Sequence, residues 1–197
     1  WKYGDQKAVD AMIHDGLWEP TCDCHMVDTA ENLARHYSIS RQQQDRYAAL
    51  SQTRCQRARE QGLFAGEIVP VTVPQRKRDS IEFADDEHPR DNVTPESLAR
   101  LKPAFRSDGT VTAGNASGIN DAAAAVVLTS EEDAKARALK PLAIIRAAAS
   151  VGVDPKIMGI GPAMAIRKLL AQAGMSLDQI DLLEVNEAFA AQTLSVA

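Results

Sequence analysis

The second half of the chain alternates short apolar runs with amphipathic helical segments, and this alternation limits the fold more than any other feature. Ala124 to Leu128 reads as a buried strand, SEEDAKARAL as a short helix capped by Ser130, and LAIIRAAASVG as a second strand candidate. GPAMAIRKLLAQAG reads as a helix with Ile166, Leu169, Leu170 and Ala173 inward and Gly174 as its stop; IDLLEV is a third strand and NEAFAAQTLSVA a last helix. Strand and helix in repeated alternation is the pattern of an α/β sheet, in which helices cover the apolar faces of the strands.

The first half is mainly helical, like an excursion out of such a sheet. DQKAVDAMIHDGLW has helical apolar spacing at Val9, Met12 and Ile13, with Gly16 expected as a left-handed cap. Asp28 and Glu31 have capping-box spacing, which predicts a helix from about Thr29. Ser40 and Gln43 repeat the device and open a long helix ending at Gly62, with Tyr47, Leu50, Cys55 and Ala58 near one face. EIVPVTV is extended, and the charged stretch from Gln75 to Asn92 reads as a surface loop. Thr94 then caps a helix whose first position is Pro95, where the missing amide hydrogen costs nothing.

Charge removes two classes of partner. With 22 Lys+Arg against 27 Asp+Glu and a net charge of −5, no broad basic face offers itself to nucleic acid or to an anionic membrane. No apolar run has the length needed to cross a bilayer, and no charged-then-apolar leader opens the chain, so the cytoplasm or an organelle matrix is expected. Cys22, Cys24 and Cys55 do not form a disulfide framework by number or spacing. The CDCH run has metal-ligand letters without a second cluster to complete a site, so no metal is expected. The chain starts without Met, which points to a fragment.

Four segments could carry chemistry. In TAGNASGIND, Gly114 and Gly118 bracket Asn115, Ala116 and Ser117; this lets backbone and one hydroxyl approach a ligand, or simply makes a tight bend. In HMVDTAEN, His25 and Met26 precede a helix, either near an electropositive N-terminus that welcomes polar groups or as a surface His beside a core Met. In VNEAFA, Asn186 sits where an α/β strand ends, either holding a water or an oxyanion or capping the final helix. In IMGIGPAMAIRK, Met158 could line an acyl pocket or only pack. The basic run Arg76, Lys77, Arg78, and Arg90 beyond it, read as solvated surface.

Taken together and in order, HMVDTAENLA, SRQQQD, EIVPV, LKPAF, GTVTAGNASGINDAAAA, VGVDPKIMGIGP and VNEAFAAQ resemble the thiolases, of the acetyl-CoA acetyltransferase type. The resemblance covers nearly the whole chain. It implies an α/β fold of layered α/β/α domains with an inserted, mainly helical loop domain, incomplete in this chain. Residues 1–119 would be most of the loop domain, 120–140 the last strand and helix of the N-terminal domain, and 141–197 the first part of the C-terminal domain.

The same resemblance implies chemistry. A cysteine thiolate takes the acyl group from one acyl-CoA, and a second acetyl-CoA loses an α-proton and attacks that thioester; the reverse reaction cleaves a 3-ketoacyl-CoA with CoA. Carried over, Ser117 would contact the pantetheine of coenzyme A, with Ala113, Phe105, Leu17, Met158 and His25 lining the same tunnel. Asn186 would hold a water in an oxyanion hole, a preorganised dipole of the kind that lowers such barriers most, with Ala188 and Phe189 walling the pocket. The His25–Met26 pair resembles the short-chain biosynthetic class, so acetyl-CoA and acetoacetyl-CoA are the expected substrates, with CoA as substrate or product and no tightly bound cofactor. A homotetramer is implied for the complete protein.

The nucleophilic Cys of the family would lie upstream, and its Gly-His-Pro and Cys-Gly-Gly segments beyond Ala197, so this chain alone is expected to be inactive. Val27 stands where the family usually has glycine. The alternatives are a thiolase for longer 3-ketoacyl-CoA and a non-catalytic CoA-binding fragment.

Overall fold

A computed structural model describes residues 3–5 and 7–197 of the chain; Gln6 of the predicted first helix, and Trp1 and Lys2 at the start of the expected loop domain, lie outside the described residues. A single wide helical turn, Met12–Leu17, leads into an antiparallel pair, β1 (Trp18–Glu19) and β2 (Cys24–His25), with Trp18 opposite His25. Then follow α1 (Met26–His36), α2 (Arg41–Glu60), a hairpin of β3 (Val71–Gln75) and β4 (Arg78–Phe83), and α3 (Pro95–Ala99). The second half holds α4 (Glu131–Ala136), a tight helical turn Pro155–Ile160, α5 (Gly161–Ala173), a short turn Leu177–Gln179 and α6 (Ala190–Val196).

Local signals in the sequence set several of these boundaries. Ser40 accepts from the Gln43 amide while the Gln43 side chain takes the Ser40 amide, the reciprocal box that opens α2. Gly62 closes α2 at φ +67, a conformation that costs glycine nothing, with the Leu63 amide returning to Ala58 O. Gly174 closes α5 at φ +65 in the same way. Thr94 caps α3 with Pro95 at its first position, and Ser130 caps α4.

The core forms where α1, the Pro155–Ile160 turn and α6 meet. Val27, Ala30 and Val111 cluster there, with Ala116 and Phe189 packed against them, and Leu33 and Ala191 are fully buried nearby. A Cβ on Gly159 would sit 2.6 Å from Gln192 Cγ and 2.8 Å from Leu33 Cδ1, so only glycine lets the turn approach both helices.

Buried polar groups knit the loop 109–118 to the helices. Glu31 of α1 accepts from the Thr110 and Val111 amides at 2.6 and 2.8 Å and from the Thr110 hydroxyl at 2.9 Å. Asp45 of α2 accepts from Arg41 Nε at 2.7 Å and from Asn115 Nδ2 at 3.0 Å, and Asn115 Oδ1 accepts from the Thr112 amide. The Glu31 and Asp45 carboxylates and the Asn115 amide thus find their partners within the protein, as buried polar groups require.

Five expectations need correcting. The helix predicted from Thr29 starts at Met26, because His25 supplies the cap: its Nδ1 accepts from the Val27 amide while Asp28 takes the His25 amide. Gly16 lies inside the first helical turn without a left-handed φ, and the chain leaves that turn extended at Trp18. The stretch from Gln75 is not all loop, since Arg78–Phe83 pairs with β3 around a turn in which Lys77 takes φ +62. The buried face of α2 is Gln44, Asp45 and Ala49, whereas Leu50 is exposed. Cys22 and Cys24 are joined in a local disulfide across the turn between β1 and β2, where Asp23 takes φ +51 and the two Cα atoms lie 5.5 Å apart; Cys55 is a free thiol.

The three strands predicted in the second half form no ladder. Residues 117–130, 143–154 and 182–187 carry no regular structure, and Val127, Ile145 and Leu182 are 93%, 70% and 82% exposed rather than buried. A strand is held by hydrogen bonds to neighbouring strands, and none among the described residues meets these segments. α5 has no fully buried residue for the same reason: Ile166, Leu169 and Leu170 are half-buried and Ala173 exposed. Among the described residues no helix is long and apolar enough to cross a membrane.

Candidate functional site

Two of the predicted chemical segments meet as a backbone seam. The Ser117 amide donates to Ala188 O at 3.0 Å and the Ala190 amide to Asn115 O at 2.9 Å, with Ala116 and Phe189 paired between them as an antiparallel bridge. The 113–118 loop can enter this seam because its glycines allow close contact. A Cβ on Gly114 would fall 2.6 Å from side-chain carbons of Leu98 and Leu101, and one on Gly118 would fall 2.6 Å from the His88 ring. These contacts make the loop a closely packed bend against Leu98, Leu101 and His88.

Asn186 lies two residues before Ala188, where this seam begins. It does not cap the final helix: α6 starts four residues later, with extended Phe189 at its N-cap and no side-chain cap. Asn186 is exposed, and its amide has no hydrogen-bonding partner among the described residues. Ala188 and Phe189 are half-buried beside it.

His25 forms the second centre. It is buried, stacked on Phe105 with ring centroids 4.4 Å apart at 29°. Because Nδ1 accepts from the Val27 amide, the ring proton lies on Nε2, and that buried nitrogen has no partner among the described residues. A buried donor without a partner costs free energy, on the order of 1–3 kcal/mol, that an incoming acceptor would recover. Val27 is accommodated in the core at 5% exposure.

The remaining predicted residues are dispersed around these centres. Met26 is half-buried at the first position of α1, Leu17 half-buried at the end of the first helical turn, and Phe105 exposed apart from its stacking on His25. Ser117 and Ala113 are exposed on the loop, and Met158 is exposed on the Pro155–Ile160 turn. No hydrogen bond among the described residues ties Leu17, Ala113 or Met158 to the seam. Among the described residues no group of three or more His, Cys, Asp or Glu side chains is placed to hold a metal.

The structure adds a cluster that no local pattern in the chain groups. Tyr47 Oη and Ser51 Oγ each donate to one oxygen of Glu187, both at 2.6 Å. Burial and then the Glu187 carboxylate push the Tyr47 phenol up to about 12, so it remains a donor through the physiological range. These side chains border a cavity of about 240 Å³ lined also by Cys55, His88, Asn115 and Ser117. The partners lie 140 and 136 residues apart in sequence, beyond any local pattern.

Comparison with known proteins gives this arrangement a family. Residues 1–132 match the thiolase N-terminal domain and residues 139–197 the thiolase C-terminal domain. An acetyl-CoA acetyltransferase of Pseudomonas aeruginosa is 56% identical over 195 residues, covering 99% of this chain and 50% of the relative. A probable acetyl-CoA acyltransferase of Staphylococcus aureus is 52% identical over 196 residues, again 50% of its length. The crystal structure of the Bacillus anthracis acetyl-CoA acetyltransferase superposes with TM-score 0.90 at 50% identity, covering 99% of this chain and 49% of that one. The human mitochondrial 3-ketoacyl-CoA thiolase does so with TM-score 0.86 at 41% identity, covering 100% and 49%. The chain thus spans about half the length of the relatives it matches, and its α/β architecture is that part of the thiolase fold. Matched along nearly all of its residues by both thiolase domains, the chain belongs to the thiolase family.

Proposed function

We propose that the protein carrying this chain is an acetyl-CoA acetyltransferase, condensing two acetyl-CoA to acetoacetyl-CoA and CoA or running the reverse thiolysis. The observation that supports this most is the seam that joins the Asn115–Ser117 loop to the Ala188–Ala190 segment, since it brings Ser117 beside the residues that follow Asn186. In this reading the acyl group rides on a Cys that lies outside this chain. The second acetyl-CoA gives up an α-proton to a second Cys, also outside this chain, its carbanion attacks the acyl-enzyme carbonyl, and the nucleophilic Cys leaves as thiolate.

The residues present bind and stabilise. Ser117 contacts the pantetheine of CoA, and Ala113, Phe105, Leu17, Met158 and His25 line the same path, His25 offering its unpaired Nε2–H as a donor. Met26 shapes the acyl end. Asn186 holds a water against the enolate oxygen, with Ala188 and Phe189 as the wall; a fixed dipole at a developing charge is worth several kcal/mol of barrier, about 3–4 for one donor. CoA serves as substrate and product with no tightly bound cofactor, and the complete enzyme is a homotetramer. Residues 1–119 are most of the loop domain, 120–140 the last strand and helix of the N-terminal domain and 141–197 the first part of the C-terminal domain.

A second reading, a thiolase for longer 3-ketoacyl-CoA, is favoured by the likeness to the human 3-ketoacyl-CoA thiolase, although at lower identity. Rates of CoA-dependent cleavage for 3-ketoacyl-CoA of increasing chain length separate the two. The short-chain enzyme has its highest kcat/KM on acetoacetyl-CoA, and a maximum at longer chains would replace it with the second reading.

A further inference from the structure

Glu187 is the residue immediately after Asn186, and it is held at both carboxylate oxygens. Tyr47 and Ser51 are four apart on α2, so their hydroxyls share one helical face and converge on a single side chain. Both contacts are 2.6 Å, the length of O–H···O⁻ bonds that are roughly twice as strong as neutral ones. Just downstream, the backbone is held again by the Ser117–Ala188 and Asn115–Ala190 bonds. The stretch before it, 182–187, has no regular structure of its own. The position of Asn186 is therefore fixed from its C-terminal side, and the first fixed point is the Glu187 carboxylate.

We propose that Glu187, clamped by Tyr47 and Ser51, is a positioning residue that sets the placement of the Asn186 amide relative to the Ser117 seam. This rests on the role proposed above for Asn186. The clamp joins α2 to the residue beside the reacting group, so a shift of α2 moves the Asn186 amide as well. It also accounts for Tyr47: a phenol that stays protonated keeps the clamp closed at any pH at which the chemistry would run.

The test is steady-state thiolysis of acetoacetyl-CoA by the full-length protein that contains this chain. The variants are Glu187→Ala, Glu187→Gln, Tyr47→Phe with Ser51→Ala, and Asn186→Ala as reference, each with its thermal midpoint. A positioning role predicts that Glu187→Ala lowers kcat about 10- to 100-fold, the scale of a misplaced reacting group, with KM within about twofold. Tyr47→Phe with Ser51→Ala should match it, and combining all three should add nothing further, as expected of one coupled unit. Glu187→Gln keeps one acceptor and should recover part of the loss. If Asn186→Ala is impaired while Glu187→Ala and the α2 double variant keep wild-type kcat, the positioning role is overturned even where thermal midpoints fall. If Asn186→Ala itself has wild-type kcat, the reading of Asn186 fails, and the proposal with it. Should Glu187→Ala not fold, the α2 double variant decides alone.

Discussion

Ser117 and Ala188 are joined through their backbones, the Ser117 amide donating to the Ala188 carbonyl at 3.0 Å across 71 residues of sequence. That bond places the small-residue loop against the Asn-Glu-Ala-Phe segment, and what supports the loop from behind therefore determines whether the site exists.

The principal support is Asn115, at 3% exposure, which links Asp45, Thr112 and Thr110 O. Asn115→Ala orphans the Thr112 amide and strips Asp45 of one donor, so a loss of about 2–4 kcal/mol is expected from unsatisfied buried groups. Urea unfolding, read as a lower midpoint at unchanged slope, measures it.

Gly159 tests the packing of the turn on α1 and α6. Gly159→Ala drives a methyl into Gln192 and Leu33, and overpacking of this kind costs about 1–3 kcal/mol. The same unfolding measurement should show a loss, and an unchanged midpoint would mean that the turn can withdraw freely.

His25 combines a cap and a stack. His25→Asn keeps a side-chain acceptor for the Val27 amide, whereas His25→Ala loses it, a difference of about 1 kcal/mol for an N-cap. Both remove the stacking on Phe105 and the Nε2 donor, so in the full-length protein both should raise KM for acyl-CoA. A KM raised only in the Ala variant would separate the cap from ligand contact.

Tyr47 makes alkaline stability a readout of the clamp. Its pKa is raised above the ordinary phenol value to about 12 by burial and Glu187, so the folded state favours the protonated phenol. The stabilisation is fully present below about pH 10, the unfolded value, and is lost as pH rises through 12. Tyr47→Phe should remove this part of the alkaline loss, and thermal midpoints from pH 8 to 12 would reveal it.

Local chemistry was readable from the sequence and distant chemistry was not. Ser40 with Gln43, Thr94 with Pro95, Gly62 and Gly174 act within one helical turn, and each sits where its letters predict. His25 escaped as a cap because Asp28, three residues on, offers the commoner capping residue, and it serves instead as the reciprocal partner inside the helix. The β4 strand was hidden by its charges, Arg78, Asp79 and Glu82, although Ile81 and Phe83 alternate as a strand should. Val126, Val127 and Leu128 have the letters of a buried strand, but burial depends on neighbours that a pattern within one segment cannot supply. The candidate site divides in the same way. Ser117 and Asn186 stood out through their own surroundings, and Phe105 came from the resemblance, whereas Glu187 with Tyr47 and Ser51 needed the fold to bring α2 across.

The most direct measurement is CoA-dependent cleavage of acetoacetyl-CoA by the full-length protein, followed as loss of the substrate's enolate absorbance, wild type beside Asn186→Ala. Cleavage by the wild type with kcat lowered about 100- to 1,000-fold in the variant, the scale of one lost oxyanion donor, is the predicted result. No cleavage by a folded wild type, or an equal kcat in both proteins, would contradict the assignment of Asn186 to the oxyanion of a thiolase reaction.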